Sequence, residues 1–319
     1  MIRRLLKKII VFLLQFEAKL ILRKYHPKII AVTGNVGKTS AKDAIATLLE
    51  SKFFVRKSVK SYNSELGVPL TILGQETGWT SVFAWFKIIF SAVKPLVKKI
   101  TYPDFIILEI GADRPGDIEK ISRWIKPYIA VVTPIGEIPV HVEFFAGPEM
   151  LAREKSKLIQ GVGAGGCVIL NFDDDAVLGL KEKAKAKVLT YGFGEGADVR
   201  GSNYHITYQE AGARTIPEGI AFKADYKGNS VPVRIFETFG KQQTYSALAA
   251  LAVGVAEDIN IIEMSEALSL YKSPPGRLKL IEGERDTWIL DDTYNASPAA
   301  MHAALDLLAD IPASPRLNG

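Results

Sequence analysis

The residues with the clearest chemical potential are Thr33-Gly34-Asn35-Val36-Gly37-Lys38-Thr39-Ser40. Two glycines ahead of a lysine and a hydroxyl let successive backbone N–H groups converge on phosphate oxygens, and a following helix start adds a favourable field. At this spacing Lys38 is expected to meet the β- and γ-phosphates of ATP, and the Thr39 hydroxyl to ligate Mg²⁺. The general eight-residue phosphate loop opens with a glycine five positions before the last one, and here that position is Val32. The shorter Thr-Gly-x-x-Gly-Lys-Thr form is satisfied, so all eight residues are candidates for nucleotide binding. Glu109 is the second candidate. It follows the apolar run 105–108, which puts it at the carboxyl end of a strand, where α/β sheets bind ligands. A carboxylate there suits a magnesium ion shared with phosphates, although a surface carboxylate is the plainer reading. By residue type alone, His141 reads as loop surface, and Lys155 with Arg153, Glu154 and Lys157 reads as a solvated helix face. No serine or cysteine sits in a convincing hydrolase triad.

These side chains need a scaffold, and the apolar periodicity supplies one. Residues 28–33 read as a buried strand, the glycine loop follows, and 38–49 read as a helix, the opening unit of a nucleotide-binding α/β domain. Further strands are expected at 105–108, 129–132 and 168–170, with helices at 117–124 and 148–159. That alternation implies a doubly wound, mostly parallel sheet. From about residue 188 to 239 short alternating segments (205–208, 220–224 and 231–236) are split by Gly, Pro and Asn, which suggests antiparallel strands inserted on the same domain. Helices at 242–256 and 261–271 follow. Ser273-Pro274-Pro275-Gly276 then reads as a linker, with a strand at 287–290 and a helix at 298–308 beyond it. The expected division is a basic amphipathic helix over 1–27, an ATP-binding domain over 28–272, and the start of a further α/β domain over 273–319.

The 40 basic and 35 acidic residues leave a charge of +5, enough to suit an anionic small molecule but no case for nucleic acid. A single cysteine, Cys167, excludes an internal disulfide and fits a reducing, cytoplasmic compartment. The uncharged apolar run 9–14 is too short to span a membrane. Leu5, Ile9, Phe12, Phe16 and Leu20 recur at helical spacing among lysines and arginines. The segment 82–100 likewise mixes Phe83, Trp85, Phe86 and Phe90 with Lys87, Lys94, Lys98 and Lys99. Each is read as a helix packed on its own domain, or as one touching a membrane surface. A monomer is expected.

The phosphate loop is the first of a series of segments that resembles the Mur ligase family in order. Ser61-Tyr62-Asn63-Ser64-Glu65-Leu66-Gly67-Val68-Pro69-Leu70-Thr71 is similar to the family's Asn-x-x-Gly-Val-Pro-Leu-Thr segment. Leu108-Glu109-Ile110-Gly111-Ala112, Ile135-Gly136-Glu137 and His141-Val142-Glu143-Phe144-Phe145 resemble the branch that adds D-alanyl-D-alanine. Ala152-Arg153-Glu154-Lys155-Ser156-Lys157-Leu158 looks like the segment with the family's carbamylated lysine. Pro275-Gly276-Arg277 and Asp291-Asp292-Thr293-Tyr294-Asn295-Ala296-Ser297-Pro298 are similar to its hinge and to the opening of its last domain.

The resemblance implies an ATP-dependent amide-bond-forming ligase that acts through an acyl phosphate on UDP-MurNAc-peptide and D-alanyl-D-alanine. It implies Mg²⁺ at Thr39 and Glu109, a second Mg²⁺ at His141, a carbamylated Lys155, and ATP contacts from Arg277 and Asp292. The family's Gly-x-His-Asn-x-x-Asn adenine motif is altered here to Gly240-Lys241-Gln242-Gln243-Thr244-Tyr245-Ser246, leaving Gln243 as the carboxamide that would meet the base. The other readings are a different Mur-type ligase, resembling cyanophycin synthetase or a lipid II-modifying subunit, and a non-catalytic ATP-binding module. Some 27 residues precede the first strand, where full-length members carry a uridine-nucleotide-binding domain, and the chain stops at Gly319. ATP binding with weak or no ligation by this chain alone is therefore expected.

Overall fold

A computed structural model describes residues 2–58, 62–79, 81–112, 114–136, 147–211, 214–284, 287–294 and 298–311. Its framework is one nine-stranded sheet of β1 (Lys28–Thr33), β2 (Val55–Lys57), β3 (Phe105–Glu109), β4 (Ile129–Val132), β5 (Cys167–Asn171), β6 (Lys187–Gly192), β7 (Val199–Ala211), β8 (Arg214–Tyr226) and β9 (Asn229–Phe236). The spatial order is β2-β3-β1-β4-β5-β6-β7-β8-β9. All pairs from β2 to β7 are parallel, and β7-β8-β9 are antiparallel. Strand order reverses around β1, so the carboxyl ends of β3, β1 and β4 border the crevice that such sheets use for ligands.

The parallel strands read as unbroken apolar runs because both of their faces are covered. Ile30 and Val32 of β1 join Phe105, Ile107, Ile129 and Val131 in one core. That core lies against α2 (Lys38–Glu50), α8 (Lys241–Ala256) and α9 (Ile261–Leu268). Their alternating neighbours Ile29, Ala31, Ile106, Leu108, Ala130 and Val132 enter a second core. It is closed by α1 (Ile2–Tyr25), α3 (Gly67–Leu73), α4 (Val82–Val97), α5 (Asp117–Ile125) and α6 (Pro148–Gln160). A short α7 (Asp175–Leu178) follows β5. Past the linker, β10 (Lys279–Glu282) and β11 (Trp288–Asp291) pair antiparallel, and α10 (Pro298–Asp310) ends the described chain. Leu278 and Leu307 from this last part pack on Phe239, with Ile206 of β7 beside them.

The expected strands and helices therefore form, with particular differences. The stretch from residue 188 opens with β6, which pairs parallel with β5 rather than starting an antiparallel insertion. The antiparallel strands are longer than their alternating cores, and α9 stops at Leu268 rather than residue 271. The strands β2 and β10 and the helices α3 and α7 span only three to seven residues, too short for a period to be read from sequence.

α1 lays Leu14, Ala18 and Ile21 into the second core and buries Glu17 with them, at 8% exposure. One Glu17 carboxylate oxygen, Oε2, has no hydrogen-bond partner. Burial pushes its carboxyl from 4.5 up to about 7. A raised carboxyl pKa means the folded state holds the proton more tightly than the unfolded one. Glu17 therefore supports stability most fully below 4.5, and that support is lost as pH rises to about 7. Glu17→Gln is expected to raise stability, and with it the melting temperature, above pH 7, and to change little near pH 4.5. Thermal melts of both proteins across that range check the sign.

Candidate functional site

The phosphate loop folds as a tight turn between β1 and α2, and the two glycines are required by its shape. Gly34 has φ +143, and a Cβ there would fall 1.9 Å from Thr133 Oγ1. Gly37 has φ +79, the left-handed region that favours glycine. The Asn35 and Val36 amides donate to the Pro134 carbonyl at 3.0 and 3.1 Å, and Asn35 Nδ2 donates to Ile135 O at 2.8 Å. Asp174, after β5, accepts from the Ile135 and Gly136 amides at 2.7 and 2.9 Å. The loop is thus held by the β4 turn, and that turn by a carboxylate. No side chain caps α2 and its first turn holds no acidic residue, so the positive end of the helix stays uncompensated where an anion can use it.

Three expected residues converge on this turn. Glu109 ends β3 at 2% exposure and accepts a hydrogen bond from Thr39 Oγ1 at 3.0 Å. Lys38 Nζ donates to Asn35 O at 3.1 Å. Lys155 on α6 is 1% exposed, and its Nζ donates to the Gly34 carbonyl at 2.9 Å. The solvated face suggested by composition is therefore not what forms. Glu154 is buried too, accepting from the Ile118 amide at 2.9 Å, while Arg153 alone of the three points to water. Burial first, and the Lys38 charge second, hold the Lys155 amine well below the usual lysine range.

From the linker, Arg277 reaches the same place: its Nη2 donates to Thr39 Oγ1 at 3.2 Å and its guanidinium stacks 4.2 Å from the Tyr294 ring. Its buried Nε has no hydrogen-bond partner. Asp292 accepts from the Leu278 amide at 3.3 Å, and burial raises its carboxyl. A small cavity of about 160 Å³ is bounded by Lys38, Thr39, Asn63, Glu109, Arg277 and Asp292. The oxygen donors that meet at the foot of the loop are the Thr39 hydroxyl and the Glu109 carboxylate. Among the described residues no cluster of three His, Cys, Asp or Glu is placed to hold a metal alone. This set fits Mg²⁺, which completes its shell with phosphate oxygens and water rather than with a full protein cage. His141, with Glu137 and the 141–145 motif, lies outside the described residues, as do Ser61 and 295–297.

A larger cavity, about 650 Å³, opens on the other side of the loop beside Val36, Gly37, Asn171, Asp173, Tyr245 and Ser246. Its size suits a purine nucleoside. Asp173 draws its wall together by accepting from the Phe193 and Gly194 amides and from Tyr245 Oη at 2.6, 2.8 and 2.8 Å. Asn171, 1% exposed, keeps its Nδ2 without a partner. Sequence reasoning missed these groups. The signal was present, since Asn171-Phe172-Asp173-Asp174-Asp175 follows an apolar strand just as Glu109 does.

Gln243, the carboxamide expected to meet the base, is committed elsewhere. It is 3% exposed, donates to Ser273 Oγ at 3.1 Å, and accepts from Tyr271 Oη at 3.0 Å. Ser273 Oγ in turn donates to Arg277 O at 2.8 Å. The helix period explains the difference: Gln242, Tyr245 and Ser246 line the large cavity, whereas Gln243 ties α8 to the linker.

Comparison with known proteins is consistent with this geometry. The model of the Mur ligase middle domain matches residues 92–254. The UDP-N-acetylmuramoyl-tripeptide–D-alanyl-D-alanine ligase of Bacillus subtilis is 30% identical over 294 residues, covering 92% of this chain and 55% of that enzyme. The ligase of the same name from Mycobacterium leprae is 30% identical over 286 residues, covering 88% and 50%. The chain spans about half the length of the curated relatives it matches. Among solved structures, MurF from Acinetobacter baumannii superposes with a TM-score of 0.76 at 24% identity, over 94% of this chain and 58% of that one. MurF from Thermotoga maritima, solved in complex with ADP, gives 0.75 at 24%, over 95% and 61%.

Proposed function

Because the chain belongs to the Mur ligase family, we propose that it carries the ATP site of a ligase joining D-alanyl-D-alanine to UDP-MurNAc-tripeptide in peptidoglycan precursor synthesis. The observation that carries this reading is the Thr39 hydroxyl on the Glu109 carboxylate at 3.0 Å, at the foot of the phosphate loop. A strand-end acid and a loop hydroxyl meeting there form the donor pair that a nucleotide-bound Mg²⁺ needs. The names of the 30%-identical relatives support the choice of substrates.

In the proposed reaction the γ-phosphoryl group of ATP passes to the substrate carboxylate, giving an acyl phosphate. That transfer leaves ADP; the amine of D-alanyl-D-alanine then attacks the acyl carbon and gives up a proton, and collapse of the tetrahedral intermediate expels phosphate and leaves the amide. The protein's part is to position and to neutralise. Loop amides and the α2 N-terminus cradle phosphate oxygens, Lys38 meets the charge on the transferring group, and Arg277 approaches from the linker. Thr39 and Glu109 would hold Mg²⁺, which offsets phosphate charge. Asp292, tied to the Leu278 amide, sets the linker against the site. The adenosine portion fills the larger cavity, against Tyr245 and Asn171.

Lys155 is proposed to be carbamylated by CO₂. What supports this is a buried amine on the Gly34 carbonyl whose pKa burial lowers, which favours the neutral form that adds to CO₂, beside the Lys38 cation that would pair with the resulting anion. His141 is kept as a metal ligand on resemblance. A monomer is proposed, and a reduced Cys167 together with ATP as substrate suits the cytoplasm. No described helix is long and apolar enough to cross a membrane.

ADP release measured with UDP-MurNAc-tripeptide, with and without D-alanyl-D-alanine, tests the reading. Whatever release this chain gives is expected only with both substrates. Stimulation by a different amine would transfer the site to another Mur-type ligase, and failure to bind ATP at all would overturn the assignment of the site.

A further inference from the structure

The helices α1 and α4 are apolar on two faces, and only one of these is used by the fold. Leu14, Ala18 and Ile21 of α1 meet Trp85, Ile88 and Ala92 of α4 in a shared core. The helices are also pinned at their C-terminal ends, where Lys24 Nζ donates to the Pro95 and Leu96 carbonyls at 2.8 and 2.9 Å. The apolar spacing seen in the α1 sequence belongs to the other face: Phe12 and Phe16 are 68% and 52% exposed. On α4, Phe83, Phe86, Phe90, Val93 and Val97 recur at helical spacing and all face water, Phe83 at 81%. A helix apolar on opposite faces calls for an apolar medium on each, and a contiguous aromatic stripe of this size marks an interaction surface.

Charge decides which medium. Residues 2–25 and 82–99 contain eleven lysines and arginines, seven in the first segment and four in the second. Their one carboxylate, Glu17, is buried. Lys87, Lys94 and Lys98 stand exposed beside the phenylalanines. An uncharged apolar protein surface would leave these cations unanswered, whereas a bilayer with anionic headgroups supplies both the apolar layer and the negative charge. Neither helix is long and apolar enough to span it, so each would lie in the interface plane.

We propose that the outward faces of α1 and α4 form a docking surface for an anionic lipid bilayer. Phe83, Phe86 and Phe90 enter the boundary between headgroups and acyl chains, and the lysines pair with lipid phosphates. This surface is independent of the ligase reading, and neither stands or falls with the other.

Co-sedimentation of the purified protein with vesicles of phosphatidylcholine alone, and of phosphatidylcholine with phosphatidylglycerol, tests it. Binding to the anionic vesicles is expected to be about tenfold stronger or more, and to weaken with salt. Phe83→Ser/Phe86→Ser/Phe90→Ser should lose at least about tenfold. Lys87→Glu/Lys94→Glu should weaken binding and flatten its salt dependence. The replaced side chains are exposed, so both variants should keep the parent melting temperature and ATP affinity, which separates lost docking from lost folding. The proposal is overturned if the parent protein stays in the supernatant with anionic vesicles, or if the triple variant binds them equally well. It is also overturned if the parent forms a concentration-dependent dimer that the triple variant disperses, since the face would then be a contact between proteins.

Discussion

Lys38→Ala is expected to cut affinity for ATP and substrate-dependent ADP release together, the latter by about 10²–10³-fold. The side chain stands on the loop that would hold the phosphates, with its Nζ held at 3.1 Å by Asn35 O, and it borders the small cavity with Thr39 and Glu109. Loss of one preorganised cation from a site shielded from water removes transition-state stabilisation that water cannot replace. Lys38→Arg should recover only part of the loss, because a planar fork does not reproduce a compact ammonium. A melting temperature of Lys38→Ala equal to the parent's would show that the loss does not come from unfolding. Calorimetric titration with ATP and a phosphate-release assay on the same preparations check both halves. Unchanged ATP affinity in Lys38→Ala would sink the assignment of the loop.

How much of this site the sequence exposes depends on what kind of order positions each residue. Thr33 to Ser40 are local: one strand, one turn and one helix start place them, and their types alone state the chemistry. Glu109 lies 70 residues from Thr39, yet it was readable because a parallel sheet brings strand ends together, and Val32 pairs with Glu109 in register. Lys155 was not readable from composition. Its neighbours Arg153, Glu154 and Lys157 look like a wet helix face, and only packing of α6 against the loop reveals that Lys155 and Glu154 are buried. Gln243 shows the opposite failure. A motif position fixes where a residue sits on α8, but a one-residue turn about the helix axis decides whether it faces the base cavity or the linker. The same logic explains β6, whose parallel pairing is set by β5 and not by its own pattern. The exposed stripe of α1 is a further case, because periodicity identifies an apolar face without saying what covers it.

Lys155→Met provides the sharpest separation of function from stability. The ammonium form of Lys155 must sit at 1% exposure, near the Lys38 cation, with the Gly34 carbonyl as its acceptor. Its pKa is therefore depressed, first by burial and then by Lys38. For a cation this means that the folded state gives up the proton more readily than the unfolded one. Stability is withheld when pH falls below the folded pKa, and recovered as pH rises toward 10.5. Methionine fills a similar volume without a proton to hold, so in buffer stripped of CO₂ Lys155→Met should melt no lower than the parent, with an advantage that grows toward acidic pH. Turnover should move the other way, falling by about 10²–10³-fold, because no carbamate can form. Parent turnover should also drop when CO₂ and bicarbonate are stripped from the buffer and return when bicarbonate is restored, while the variant ignores both changes. A purely structural lysine predicts neither the bicarbonate response nor the loss of activity at undiminished stability. Turnover in Lys155→Met equal to the parent's, or a parent indifferent to CO₂, would remove Lys155 from the reaction and leave its burial without a catalytic purpose.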